Sequence, residues 1–222
     1  MRNLPVIIGV SLLAVLAPIS FADAEINPNI AAARTQKRPG VKLPANLIRL
    51  PLVRQATDYT CGVAALQSVL AYYGEDFREE YLSKKLKANF HDGTAYSEMA
   101  NFSRKQGFNV DINKKMSLAD LKAKIDKKLP TILCIQAWGD GPGTNNYRDE
   151  WNDGHYVVAA GYDEENIYFM DPSTIGNYAY IPAKEFLERW HDTDGKERLC
   201  NFGMIISREK SNYTPDIALF ME

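Results

Sequence analysis

The sequence predicts an α+β fold, with a helical N-terminal half and a mainly antiparallel sheet in the C-terminal half. Three observations carry this. Between residues 61 and 129, apolar residues recur at three- and four-residue spacing, in stretches that stop at glycines or open on capping residues. From Pro130 the pattern changes to short apolar or alternating runs with turn residues between them. One helical stretch, 182–191, interrupts those runs.

Residues 1–24 are read first, because they are expected to be removed. Met1-Arg2-Asn3 is a short positive start, Leu4 to Ile19 is almost wholly apolar, and Ala22-Asp23-Ala24 offers the small residues of an A-x-A cleavage site. Pro5, Gly9 and Pro18 interrupt the run, which argues against a membrane anchor, and no nearby cysteine offers a lipid attachment point. The expectation is a cleaved export signal, a periplasmic or secreted product, and no stable membrane anchor after cleavage. Residues 25–47 lack periodicity and carry several Pro and Gly, so they are read as a lead-in, and 48–222 as one domain.

IRLPLVRQ (48–55) reads as an extended entry segment. The helix that begins at Cys61 has Val63, Leu66, Leu70 and Tyr73 along one face and stops at Gly74. Residues 78–86 and 94–107 are further helices. Ser117 and Asp120 stand in capping-box positions at the start of 117–129, whose many lysines read as a solvated face. The runs TILCIQAW, HYVVAAGY, NIYFMD, NYAYI and NFGMIIS are the expected strands, and Pro182 suits the first turn of the 182–191 helix. A net charge of −2 without a basic block excludes a nucleic-acid footprint. His and Cys show no metal-ligand spacing, so neither a metal nor a cofactor is expected.

The chemistry centres on QATDYTCGVAALQSVLAYYG (55–74). A cysteine in the first turn of a helix meets the positive end of the macrodipole, which favours a thiolate nucleophile. Cys61 has that placement, and Gly62 beside it is read as leaving room for a substrate backbone. Cys134 and Cys200 lie in apolar, strand-like runs and are read as core thiols, with a mutual disulfide as the other reading; Cys61 is unpaired either way. Of the three histidines, His191 reads as a favourable charge at a helix end and His91 as an exposed loop residue. His155 opens a continuous apolar strand, and Asp171 ends the next one, where its carboxylate can orient the imidazole or merely form an Asp-Pro turn. Gln55 offers an amide for an oxyanion beside the Cys61 N–H.

These stretches, with GTAYSEMANFSRKQGF and KLPTILCIQAW, resemble the papain-like peptidases of the bacteriocin-processing, double-glycine leader type, over roughly residues 50–190. The resemblance implies a papain-like cysteine peptidase fold. It also implies Cys61 as nucleophile, His155 as base, Asp171 as orienting carboxylate and Gln55 as oxyanion donor, all four residue types being present. The family's best-known members are fused to a membrane exporter and its ATPase. Here no later membrane span and no G-x-x-x-x-G-K-[ST] loop follow, so a free-standing relative is expected, without assuming cleavage after Gly-Gly.

The expected function is an exported peptidase acting on a peptide or protein through a thioester. A transferase or deamidase using the same thioester, and a non-catalytic peptide-binding module, are the alternatives. The loop 138–154, rich in Gly, Asn and aromatic residues, either walls the cleft or only connects two strands.

Overall fold

Helices precede the main sheet in the computed structural model, which describes residues 39–138, 146–195, 197–209, 211–218 and 220–221. The expected export signal (1–24) and residues 25–38 of the lead-in lie outside them. The order is α1 (Cys61–Tyr72), α2 (Glu79–Leu86), α3 (Tyr96–Lys105), β1 (Asn109–Asn113), α4 (Leu118–Asp126), β2 (Thr131–Gln136), β3 (Gly154–Tyr162), β4 (Asn166–Met170), β5 (Ala179–Pro182), α5 (Ala183–Arg189), β6 (His191–Asp194), β7 (Glu197–Cys200) and β8 (Gly203–Ser207). Among these residues no helix is long and apolar enough to cross a membrane.

Six strands form one sheet in the order β1-β8-β2-β3-β4-β5, and each neighbouring pair is antiparallel. β2 and β4 are buried along their whole length and β3 along most of it, which explains their near-continuous apolar sequences. Helix α1 packs on β3 and buries Ala64, Ala65 and Val69 as well as the expected Val63, Leu66 and Leu70. A helix apolar on nearly every side belongs inside, and α1 is the central one. The capping box of α4 is present: the Asp120 N–H donates to Ser117 Oγ, and the Ser117 N–H donates to Asp120 Oδ2, both at 3.1 Å.

The entry segment runs beside the sheet, with Ile48 N donating to the Ala160 carbonyl at 2.6 Å and Gln55 N to the Pro172 carbonyl at 3.1 Å. Residues 39–47 also lie against the sheet, because the hydroxyls of Tyr180 and Tyr168 donate to the carbonyls of Pro39 and Lys42.

Three expectations are corrected. The helix expected over 182–191 ends at Arg189, and His191 opens the β6–β7 hairpin, so it is not a helix-end charge. Its buried ring instead meets the Glu150 carbonyl through Nε2 at 2.7 Å and lies 4.5 Å from the Trp151 ring. Second, Cys134 is buried, but Cys200 is exposed on β7, and both are free thiols; Cys200 is neither core nor paired. Third, Asn109–Asn113 forms an edge strand on β8 that its Asn- and Asp-rich composition concealed.

Candidate active site

Cys61 is the first residue of α1, and it is partly exposed. The loop before it is locked by Thr60, whose hydroxyl accepts from Thr57 N at 3.1 Å and donates to the Thr57 carbonyl at 3.2 Å. That hydroxyl makes no capping bond to the helix. Gly62 has a role other than the expected one. It is buried, and a Cβ there would lie 2.9 Å from Thr94 Cβ and 3.0 Å from Tyr156 Cδ2. The glycine lets α1 seat on β3; it does not make room for substrate.

β3 and β4 bring the other two groups to one face. Continuing the Val158↔Met170 register by one pair sets Asp171 opposite Val157, and His155 is the next residue on that face. His155 Nε2 lies 2.7 Å from Asp171 Oδ1. With Nε2 so engaged, Nδ1 is the nitrogen left for proton exchange, and the Cys61 side chain is the ring's other neighbour. Burial disfavours charge on His155, but the bond to Asp171 and the Cys61 partner outweigh it, and the imidazole pKa is pushed up to about 9. Asp171 is itself largely buried, which would raise its pKa. His155 and the donors Ser173 N and Thr174 Oγ1 more than compensate and hold the carboxyl below its ordinary range.

Gln55 sits at the same end of the cleft in a fixed pose. Its Nε2 donates to the Thr57 carbonyl at 2.7 Å, and its Oε1 accepts from Ser173 Oγ at 3.3 Å. Nε2 carries two hydrogens, so one remains for a ligand. Ser173 Oγ also lies 3.4 Å from His155 Nε2, so this hydroxyl touches both the glutamine and the histidine.

Two cavities lie at the site, one on Cys61 and one on His155. One, of about 300 Å³, opens on Cys61 and is lined by Thr94, Trp151, Asn152, Gly154 and Tyr156 among others. The second, of about 170 Å³, lies between Trp138, His155, Asp171 and Arg189. The Trp138 ring stands 5.1 Å from the imidazole. Both described ends of the 138–154 loop therefore wall the cleft; residues 139–145 lie outside the described residues.

All four residues singled out from the sequence meet here, whereas His91 stays exposed on the rim of the Cys61 cavity. Ser173 and Trp138 were not assigned roles from the sequence. A signal existed for Ser173: in Asp171-Pro172-Ser173-Thr174 the Ser173 N–H donates to the aspartate two residues earlier, an Asx-turn. Gln136 carried no signal, being a polar residue inside an apolar strand. It is fully buried, and its Nε2 donates to the His191 carbonyl and to Asp192 Oδ1, both at 3.2 Å.

A model of the Peptidase_C39 like family matches residues 47–197. The transport/processing ATP-binding protein ComA of Streptococcus pneumoniae is 27% identical over 137 residues, a match that covers 61% of this chain and only 17% of that relative. Among solved structures, the peptidase domain of Streptococcus ComA superposes with a TM-score of 0.54 at 22% identity, over 73% of this chain and 99% of that one. A C39-like peptidase from Bacillus anthracis, described as putative, does so with a TM-score of 0.58 at 16% identity, over 78% and 100%. Both likenesses are of fold.

Proposed function

The chain belongs to the Peptidase_C39 like family and is a cysteine-type peptidase; on that premise we propose that Cys61, His155, Asp171 and Gln55 carry the reaction, in an exported protein. The supporting observation is the 2.7 Å contact of Asp171 with one side of an imidazole whose other neighbour is Cys61 at a helix start.

The thiol proton passes from Cys61 to His155, whose raised proton affinity makes it a ready acceptor. The thiolate attacks the amide carbonyl carbon, and the tetrahedral oxyanion accepts from the Cys61 N–H and from the free Nε2 hydrogen of Gln55. His155 then protonates the leaving amine as the C–N bond breaks, leaving a thioester. Water, losing its proton to His155, hydrolyses that thioester and restores the thiol. Asp171 keeps the ring oriented and offsets its positive charge. Coupling to transport is not carried over from ComA, of which this chain matches only 17%, and cleavage after Gly-Gly is not assumed. Export is proposed from the charged, apolar and small-residue order of residues 1–24.

The test is incubation with a peptide library followed by mass spectrometry. Products from the wild type and none from Cys61→Ala support the assignment; the same products from both overturn it. Acyl transfer to an added amine in preference to water would point to a transferase. A mature N-terminus at Glu25 in the exported fraction supports export, and intact Met1 there overturns it.

A further inference from the structure

The cavity that opens on Cys61 has a one-sided charge. Asp58, Asp92, Asp192 and Asp194 line it, and among the described residues no lysine or arginine does. Among the described residues none of these aspartates is in an ion pair, the paired lysines and arginines taking other carboxylates; His155 acts on Asp192 and Lys114 on Asp194 only through their fields. Asp192 is 8% exposed. Its carboxylate accepts from Gln136 and lies over Gly154, where a Cβ would stand 2.3 Å from Oδ2; only glycine leaves that space to the acid. Burial pushes Asp192 up to about 6 and also raises Asp194, so at neutral pH the Asp192 charge is held at a desolvation cost that a cation would relieve.

Two further features point to a ligand. Thr94 lines the cavity at 3% exposure, and its Oγ1 has no hydrogen-bond partner among the described residues. Tyr59 and Phe90 add aromatic surface to the walls, suited to the stem and head of a long cationic side chain, while the Trp151 ring is already taken by the Arg198 guanidinium at 4.6 Å and the His191 ring at 4.5 Å. Among the described residues no three His, Cys, Asp or Glu side chains are grouped as metal ligands would be.

We propose that this cavity is a substrate subsite for a lysine or arginine side chain of a peptide whose backbone lies across Cys61. The subsite rests on the catalytic reading above but adds to it the substrate's charge. A cationic residue near the scissile bond sets its ammonium or guanidinium among Asp58, Asp92, Asp192 and Asp194, against the wall that holds the unpaired Thr94 hydroxyl. Selection then comes from charge, with neutral and acidic side chains disfavoured.

Binding is read on the Cys61→Ala protein, so that recognition and chemistry are tested apart. The probes are short labelled peptides, identical except for Lys, Arg, norleucine or Glu at each position in turn. At one position Lys and Arg should bind tighter than norleucine, by on the order of tenfold, and Glu weakest, with the preference falling as salt is raised. Added Asp192→Asn or Asp194→Asn should bring the Lys-to-norleucine ratio toward one. Asp58→Asn and Asp92→Asn, at exposed positions, carry the same test should the buried variants fail to fold. Equal binding of Lys and norleucine at every position, or a ratio unchanged in all folded variants, overturns the subsite. Failure of the wild type to cleave any peptide, with the Lys preference intact, overturns the catalytic reading alone.

Discussion

Asp171 Oδ1 accepts from two directions at once: His155 Nε2 lies 2.7 Å away and the Ser173 N–H 2.8 Å away. The sequence posed these as alternatives, a carboxylate for the histidine or an Asp-Pro turn former. One side chain does both. The turn bonds, completed by Thr174 Oγ1 on Oδ2 at 2.7 Å, fix the carboxylate before any substrate arrives.

Asp171→Asn keeps an oxygen for the turn but loses the charge that favours imidazolium. We expect kcat to fall by on the order of 10²–10⁴-fold. In the wild type kcat/KM should decline above pH about 9, as His155 loses the proton it gives to the leaving amine. Asp171 raises that pKa, so its removal should move the alkaline limb to lower pH. Stability follows the same sign. A folded-state pKa raised from 6.5 to about 9 contributes stability that is fully present below about 6.5 and is lost as pH rises through 9. Activity and thermal melts across pH check both; an alkaline limb that stays in place removes Asp171 from the acid–base pair.

The three thiols should separate cleanly. Cys61→Ala should abolish turnover with the melt nearly unchanged. Cys200→Ala, at an exposed free thiol, should alter neither activity nor stability beyond ~0.5 kcal/mol. Cys134→Ala should retain activity but cost about 1 kcal/mol, because the thiol fills space in the buried strand β2. Burial also pushes the Cys134 thiol pKa well up, so alkylating reagents should spare it in the folded protein. Full activity in Cys61→Ala would end the thioester mechanism.

Gly62→Ala tests the seating of α1 on β3. The added methyl would meet Thr94 and Tyr156, both buried, at 2.9 and 3.0 Å, so neighbours must shift. We expect a loss of about 1–3 kcal/mol, measured by denaturant unfolding. An unchanged midpoint would mean that α1 can slide without cost.

Local pattern and pairwise chemistry were legible in the sequence; the third dimension of the cleft was not. The Ser117–Asp120 cap, the apolar strands β2 to β4 and the order Gln55, Cys61, His155, Asp171 all follow from nearest-neighbour rules. The β6–β7 hairpin was missed because His191 follows a helical stretch directly and its burial depends on Trp151 and the Glu150 carbonyl, about forty residues earlier. Strand β1 was missed because an edge position tolerates the Asn and Asp that a central strand would reject. The acidic wall beside Cys61 draws on Asp58, Asp92, Asp192 and Asp194, distant positions that only the fold makes neighbours.

Gln55 gives the sharpest test of the transition-state reading, and Ser173 belongs in the same experiment. With one Nε2 hydrogen tied to the Thr57 carbonyl and Oε1 held by Ser173, the remaining hydrogen is preorganised for an oxyanion. Gln55→Ala should therefore lower kcat by ~10²–10³-fold with little change in KM. Gln55→Glu should be at least as damaging, because a carboxylate repels the developing charge. Ser173→Ala frees the amide without removing it, so its kcat loss should be smaller and KM again unchanged. Alkylation of Cys61 forms no oxyanion, so iodoacetamide should react with Gln55→Ala at close to the wild-type rate. The measurement is made in a Cys200→Ala background, since that exposed thiol would otherwise contribute to the labelling. Turnover and alkylation falling together would show that Gln55 only supports the loop before Cys61, and unchanged turnover would remove it from the site.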